Sequence, residues 1–138
     1  MKQTLKIFAL VAIAVAFAAM PVAAKKDKGG EARIKFTEDR HDFGLIDENG
    51  GPVSCVFEFV NAGNGNLVIK DVRTQCGCTR PEYPQNPIAP GKKGKIKITF
   101  LPQGRPGSLN KTATVYTNGK PGKVVLQIKG RVAPKNKK

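Results

Sequence analysis

One histidine, no tryptophan and three cysteines among 138 residues remove several function classes at the outset. A Ser-His-Asp or Cys-His site would have to be built around His41, which lies close to Asp39 and Asp42 in a run that reads as a surface charge network. Without tryptophan, an aromatic-rich basic strand or a DNA- or RNA-binding motif, nucleic acid is not the expected partner. The run Asp39–Gly44, "DRHDFG", holds fragments of protein-kinase motifs, but they are adjacent and the chain is far too short for that fold. Phe43 is instead expected to plug a core, with Gly44 allowing a bend.

Acidic side chains are missing from one whole half. Residues 83–138 carry 13 Lys and Arg and no Asp or Glu, whereas residues 25–82 carry 9 basic and 10 acidic side chains. Such a surface attracts anions over about 8–10 Å at physiological salt. The expected partner is an envelope protein or an anionic envelope surface.

Long hydrophobic runs are confined to the start. Met1–Lys6 carries two lysines and no acid, Ile7–Met20 is unbroken apolar sequence, and Pro21-Val22-Ala23-Ala24 ends in small residues. That order predicts a signal peptide over 1–24, cleaved after Ala24. The competing reading is a retained anchor, but Ile7–Ala24 has only 18 residues and Pro21 interrupts it. No transmembrane segment is expected after signal removal, and the product is expected to be exported: periplasmic, envelope-associated or secreted. What remains divides into a flexible leader, 25–31, one domain, 32–133, and a basic tail, 134–138.

Helical periodicity is absent from the mature sequence. Lys95–Phe100 alternates instead, with Ile96, Ile98 and Phe100 on one face and Lys95, Lys97 and Thr99 on the other. Pro52–Val60 puts Val53, Cys55, Phe57 and Phe59 on one face, which predicts a core position for Cys55. Further strands are expected over Ala32–Thr37, Phe43–Ile46, Asn66–Arg73, Lys111–Thr117 and Lys123–Val132, separated by Gly, Asn and Pro clusters. About seven short antiparallel strands in one all-β domain predict an immunoglobulin-like β-sandwich. Pro81, Pro84, Pro87 and Pro90 predict a stiff surface loop from Arg80 to Lys93, since proline blocks ladder formation.

The chemistry-bearing motif is "RTQCGCTR", Arg73–Arg80. A Cys76–Cys78 disulfide closes a very short loop, for which chain entropy gives only about 1.5 kcal/mol, and Gly77 would have to bend the chain. A bridge from Cys55 to either residue would close a longer loop and give roughly 3.4 kcal/mol. Two thiolates also suit copper or zinc, although a closed zinc site wants four ligands. The bland reading is that both cysteines pack without chemistry. Flanking Arg73 and Arg80 favour a thiolate electrostatically.

Several blocks in order carry a family resemblance: Arg73–Thr79, Pro81-Glu82-Tyr83-Pro84, Pro87–Gly91, Phe100, Gly104–Gly107 and Lys111–Asn118. Over residues 35–133 the chain resembles the bacterial domain-of-unknown-function family number 1573. The resemblance implies an exported or envelope-associated immunoglobulin-like domain of unestablished biochemical role. The family pattern has serine where this chain has Gln75, and an apolar residue or threonine where it has Cys55. The resemblance therefore implies that Cys76 and Cys78 act together, with Cys55 a buried core thiol.

The resulting expectation is an exported cell-envelope interaction or structural module, not an enzyme and without a cofactor. Its candidate binding surface is Arg73, Arg80, Tyr83, Lys92, Lys93, Arg105 and Lys111. The alternative is a thiol-redox or soft-metal protein, with Cys76 and Cys78 as the reactive or metal-ligating pair.

Overall fold

Alternating side chains sort themselves into eight strands: β1 (Ile34–Phe36), β2 (Arg40–Asp47), β3 (Val53–Asn61), β4 (Ile69–Thr74), β5 (Thr79–Glu82), β6 (Lys93–Phe100), β7 (Gly107–Thr117) and β8 (Lys123–Ala133). The computed structural model describes residues 30–135, so the expected signal segment 1–24, most of the leader and the end of the basic tail lie outside the described residues. Two four-stranded sheets form, ordered β1-β3-β6-β5 and β2-β8-β7-β4. The fold is the all-β sandwich that the alternation predicts.

On β3, Cys55, Phe57 and Phe59 are buried while Ser54, Val56 and Glu58 face out. On β6, Ile96, Ile98 and Phe100 are buried, in a register that sets Cys55 opposite Ile98 and Phe57 opposite Ile96. Val115, Leu126, Ile128 and Val132 supply the other sheet's half of the core. Each such side chain contributes roughly 1.5–3 kcal/mol on burial, before the entropy of ordering is counted. A one-residue slip in any of these strands would turn its apolar set outward, so the pattern fixes the register.

Strand direction departs from expectation at one edge. Five of the six ladders are antiparallel, but β2 runs parallel to β8. Residues 37–39 carry the chain from β1 in one sheet to β2 in the other instead of closing a hairpin, and that sheet switch sets the direction. The β2 ladder slips between Asp42 and Leu45, where Gly44 has φ +66° and donates its N–H to Asp42 Oδ1 at 2.8 Å. A side chain is disfavoured at that angle, so glycine makes the bend. Phe43 packs against the core with its ring edge-on to His41, centroids 4.7 Å apart.

The proline-rich connection also differs from the stiff surface loop expected. Thr79–Glu82 pairs with β6, placing Pro81 opposite Ile98. β5 is an edge strand with one neighbour, and an edge is where a missing N–H is tolerated. Ile88, farther along, exchanges two backbone hydrogen bonds with Leu67, at 2.9 and 2.7 Å, and is buried. The prolines therefore stiffen a segment that closes one side of the core.

The register Lys93 with Val60 and Val53 with Phe100 runs β6 along the sandwich, roughly 23 Å from end to end at about 3.3 Å per residue. At the Lys93 end, Asn61 is fully buried. Its Nδ2 donates to Gly65 O at 2.7 Å and Ile88 O at 2.8 Å, while its Oδ1 accepts the N–H groups of Arg33 and Gly63 at 3.2 and 3.1 Å.

Candidate functional site

At the Phe100 end, residues 75–78 carry the chain from β4 in one sheet to β5 in the other. Gln75 stays fastened to β7: its N–H donates to Thr112 O at 3.3 Å, and Thr112 N–H donates to Gln75 Oε1 at 3.0 Å. Cys78 already belongs to the other sheet, since Leu101 N–H donates to its carbonyl at 2.8 Å. Between these anchors Thr79 N–H donates to Cys76 O at 3.2 Å, closing a tight turn with Gly77 exposed at its tip. The Thr74 hydroxyl lies 3.2 Å from both Cys76 O and Thr79 O and shares its one proton between them.

That turn draws the Cα atoms of Cys76 and Cys78 to 5.3 Å, within disulfide range, and the two residues are joined by a disulfide. Their environments differ. Cys78 is 1% exposed, with its Sγ 3.7 Å from the Thr79 hydroxyl, whereas Cys76 is only partly buried. Cys78 N–H points at Cys76 Sγ, 3.1 Å away. Cys55 is a free buried thiol within β3, and burial pushes its pKa up to about 11. Among the described residues no group of three or more His, Cys, Asp and Glu side chains is gathered to hold a metal ion.

A groove of about 350 Å³ opens beside the disulfide, bounded by Cys76, Cys78, Phe100, Arg105, Leu109 and Lys111 among others. Lys111 has the parity of Leu109 and Ala113 on β7 and stands opposite buried Ile128, so it occupies a core-face position at the sandwich's open end. A neighbouring hollow shares Ser108 and Leu109 with the groove and is edged by Asp42, Lys129 and Arg131. Four cations, Arg105, Lys111, Lys129 and Arg131, thus flank the start of β7.

Of the residues expected from sequence, Cys76, Cys78, Arg105 and Lys111 meet around the groove. Arg80 is exposed on β5, two residues past Cys78. Arg73 lies on the outer face of the second sheet, bonded to Asp71 at 2.9 Å and stacked over the Tyr116 ring at 5.3 Å, an arrangement that holds its guanidinium more firmly charged. Tyr83 is half-buried against the core. Lys92 and Lys93 are at the far end beside Asn61, whose N–H donates to Lys92 O at 2.9 Å. The candidate surface is therefore not continuous. Lys129 and Arg131 were not singled out, although the outward parity they share with Val125 on β8 is legible in the sequence; Thr74 and Thr79 carried no such signal.

A family model described as "Protein of unknown function (DUF1573)" matches residues 34–132. No curated protein matches the sequence. Among solved structures, a protein of unknown function from Porphyromonas gingivalis W83 is 17% identical with a TM-score of 0.63, over 72% of this chain and 46% of that one. The VesB protease of Vibrio cholerae is 9% identical with a TM-score of 0.56, over 74% of this chain and 32% of that one. The secreted serine protease VesC of Vibrio cholerae is 12% identical with a TM-score of 0.54, over 74% of this chain and 24% of that one. The chain spans less than half the length of each, and what is shared is the fold.

Proposed function

The chain belongs to the family described as protein of unknown function, DUF1573, and from that premise we propose that it is an exported cell-envelope module which docks on an anionic partner and has no catalysis of its own. The observation that carries this reading is a set of cations without counter-charges. Among the described residues, ion pairs engage Lys95 and Lys120 from the basic half and leave its other cations, Lys92, Lys93, Lys97 and Lys123 included, with no carboxylate within 4.0 Å; of these, Arg105, Lys111, Lys129 and Arg131 gather at one end. Uncompensated charge at one end of a rigid sandwich supports recognition of an anionic envelope surface or an acidic envelope protein. The basic, apolar and small-residue order of residues 1–24 supports export.

Retention on isolated envelopes over a salt series tests the docking. Replacing Arg105, Lys111, Lys129 and Arg131 together by Ser should lower retention at least tenfold near 0.15 M salt, taking about 1 kcal/mol per surface cation, and should flatten the salt dependence. Replacing Lys92 and Lys93 at the far end should do much less. Equal loss from both ends, or no loss from either, would count against docking by one defined end. Intact mass of the envelope-associated protein should correspond to a chain starting at Lys25.

A further inference from the structure

We infer that the Cys76–Cys78 bond is an exchangeable disulfide that takes two electrons from the dithiol of an acidic protein and leaves that protein oxidised. The inference rests on the groove and does not depend on envelope docking.

Its first support is the unequal burial of the two cysteines. Exchange requires a thiolate to approach one sulfur along the S–S axis while the other departs. Both cysteines border the groove, but Cys78 is buried and Cys76 only partly so, and the incoming sulfur therefore reaches Cys76. The second support is that both sulfurs have a hydrogen-bond donor waiting. The Thr79 hydroxyl, 3.7 Å from Cys78 Sγ, is placed to solvate the departing sulfur, and Cys78 N–H, 3.1 Å from Cys76 Sγ, to solvate the other once released. Third, Arg105 and Lys111 line the groove against the Glu48 carboxylate at its rim, whose Oε1 accepts the N–H of Gly104 at 3.2 Å, and the excess of positive charge draws in a thiolate flanked by acidic residues. Fourth, the bond adds little to the fold. Closing so short a loop restricts the unfolded chain by about 1.5 kcal/mol, half the value for a 15-residue loop, and the flanking Gln75–Thr112 and Leu101–Cys78 bonds already hold each strand in its sheet.

A partner thiolate attacks Cys76 Sγ; the Cys76–Cys78 bond breaks, its electron pair goes to Cys78 Sγ, and that sulfur takes up a proton. A mixed disulfide now joins the partner to Cys76. The partner's second thiolate attacks its own bridged sulfur, the mixed bond breaks, and Cys76 leaves as a thiolate that takes up the second proton. Two electrons and two protons have moved from the partner's dithiol to the Cys76–Cys78 pair.

The test uses the full chain and two synthetic dithiol peptides, each with two cysteines separated by two residues, one flanked by glutamates and one by lysines. Reduction is followed by alkylation and mass. At low salt the glutamate peptide should reduce the bond at least about fivefold faster than the lysine peptide, and the difference should vanish in the Arg105→Ser/Lys111→Ser variant. In Cys78→Ser, oxidised glutathione should form its adduct on Cys76 at least about tenfold faster than it does on Cys78 in Cys76→Ser. Equal rates with the two peptides on the unaltered chain, faster adduct formation on Cys78, or a bond that survives about 10 mM glutathione would overturn the inference. The peptide comparison on the unaltered chain decides the matter even if a variant fails to fold.

Discussion

Replacing Asn61 by Ala puts a number on what one buried amide does for the end of the sandwich opposite the cystine. The substitution removes four hydrogen bonds at once, to Arg33 N, Gly63 N, Gly65 O and Ile88 O, from a side chain with 0% exposure. A hydrogen bond contributes about 1 kcal/mol net, and a buried group left without a partner costs 1–3 kcal/mol. The bond to Ile88 O is fully buried, whereas the other three are partly buried and water can replace some of them. The expected loss is therefore about 3 kcal/mol, a large fraction of the 5–15 kcal/mol typical of a domain. In urea unfolding followed by circular dichroism the midpoint should fall with little change in slope, and Tm should drop by roughly 15 °C. Asn61→Asp separates donor from acceptor: it keeps an oxygen for Arg33 and Gly63 but sets a carboxylate against two carbonyls. It should cost at least as much at neutral pH and recover in part on acidification, when the protonated acid regains one donor. A loss below about 1 kcal/mol for Asn61→Ala would refute the assignment of this side chain as the linchpin of that end.

Two further substitutions probe the core. Cys55 has a pKa raised from 9.0 to about 11 in the folded chain, so the stability its neutral form supports is intact below pH 9 and is lost as pH rises from 9 towards 11. That loss, of order 2 kcal/mol, should be absent in Cys55→Ala when unfolding is compared at pH 8 and pH 11, and an identical alkaline decline in both proteins would show that other groups cause it. A Cβ at Gly94 would run into the Phe59 ring and the Ile88 side chain, so Gly94→Ala should cost about 1–3 kcal/mol by urea unfolding, and a neutral outcome would mean that Phe59 has room to move.

The fold was legible wherever one face of a strand is wet and the other dry. β3, β6 and β8 alternate cleanly because Ser54, Glu58, Lys95, Lys97, Lys129 and Arg131 point to water between core residues. β5 was hidden because Pro81 reads as a ladder breaker, and only knowledge that the strand lies at an edge removes the objection. β2 was seen only in part, since the slip at Gly44 shifts the alternation midway, and its parallel direction depends on a partner some 85 residues away that no local pattern names. The cysteine pair stood out by composition, but the groove beside it did not. It takes Arg105 from a loop and Lys111 from a strand, and Lys111 looked like a surface residue although its parity with Ala113 and Val115 points the other way. Asn61 carried no signal of its role, because nothing in a sequence tells a solvated asparagine from one enclosed on every side.

The chain changes layers at the Cys76–Gly77–Cys78 corner, and the strand on each side is fastened independently of the sulfurs. A covalent event there would consequently be local: three residues would slacken while both sheets kept their registers and the interior stayed dry. Were the bond to exchange as inferred, the molecule would pass from one chemical form to the other without passing through an unfolded one.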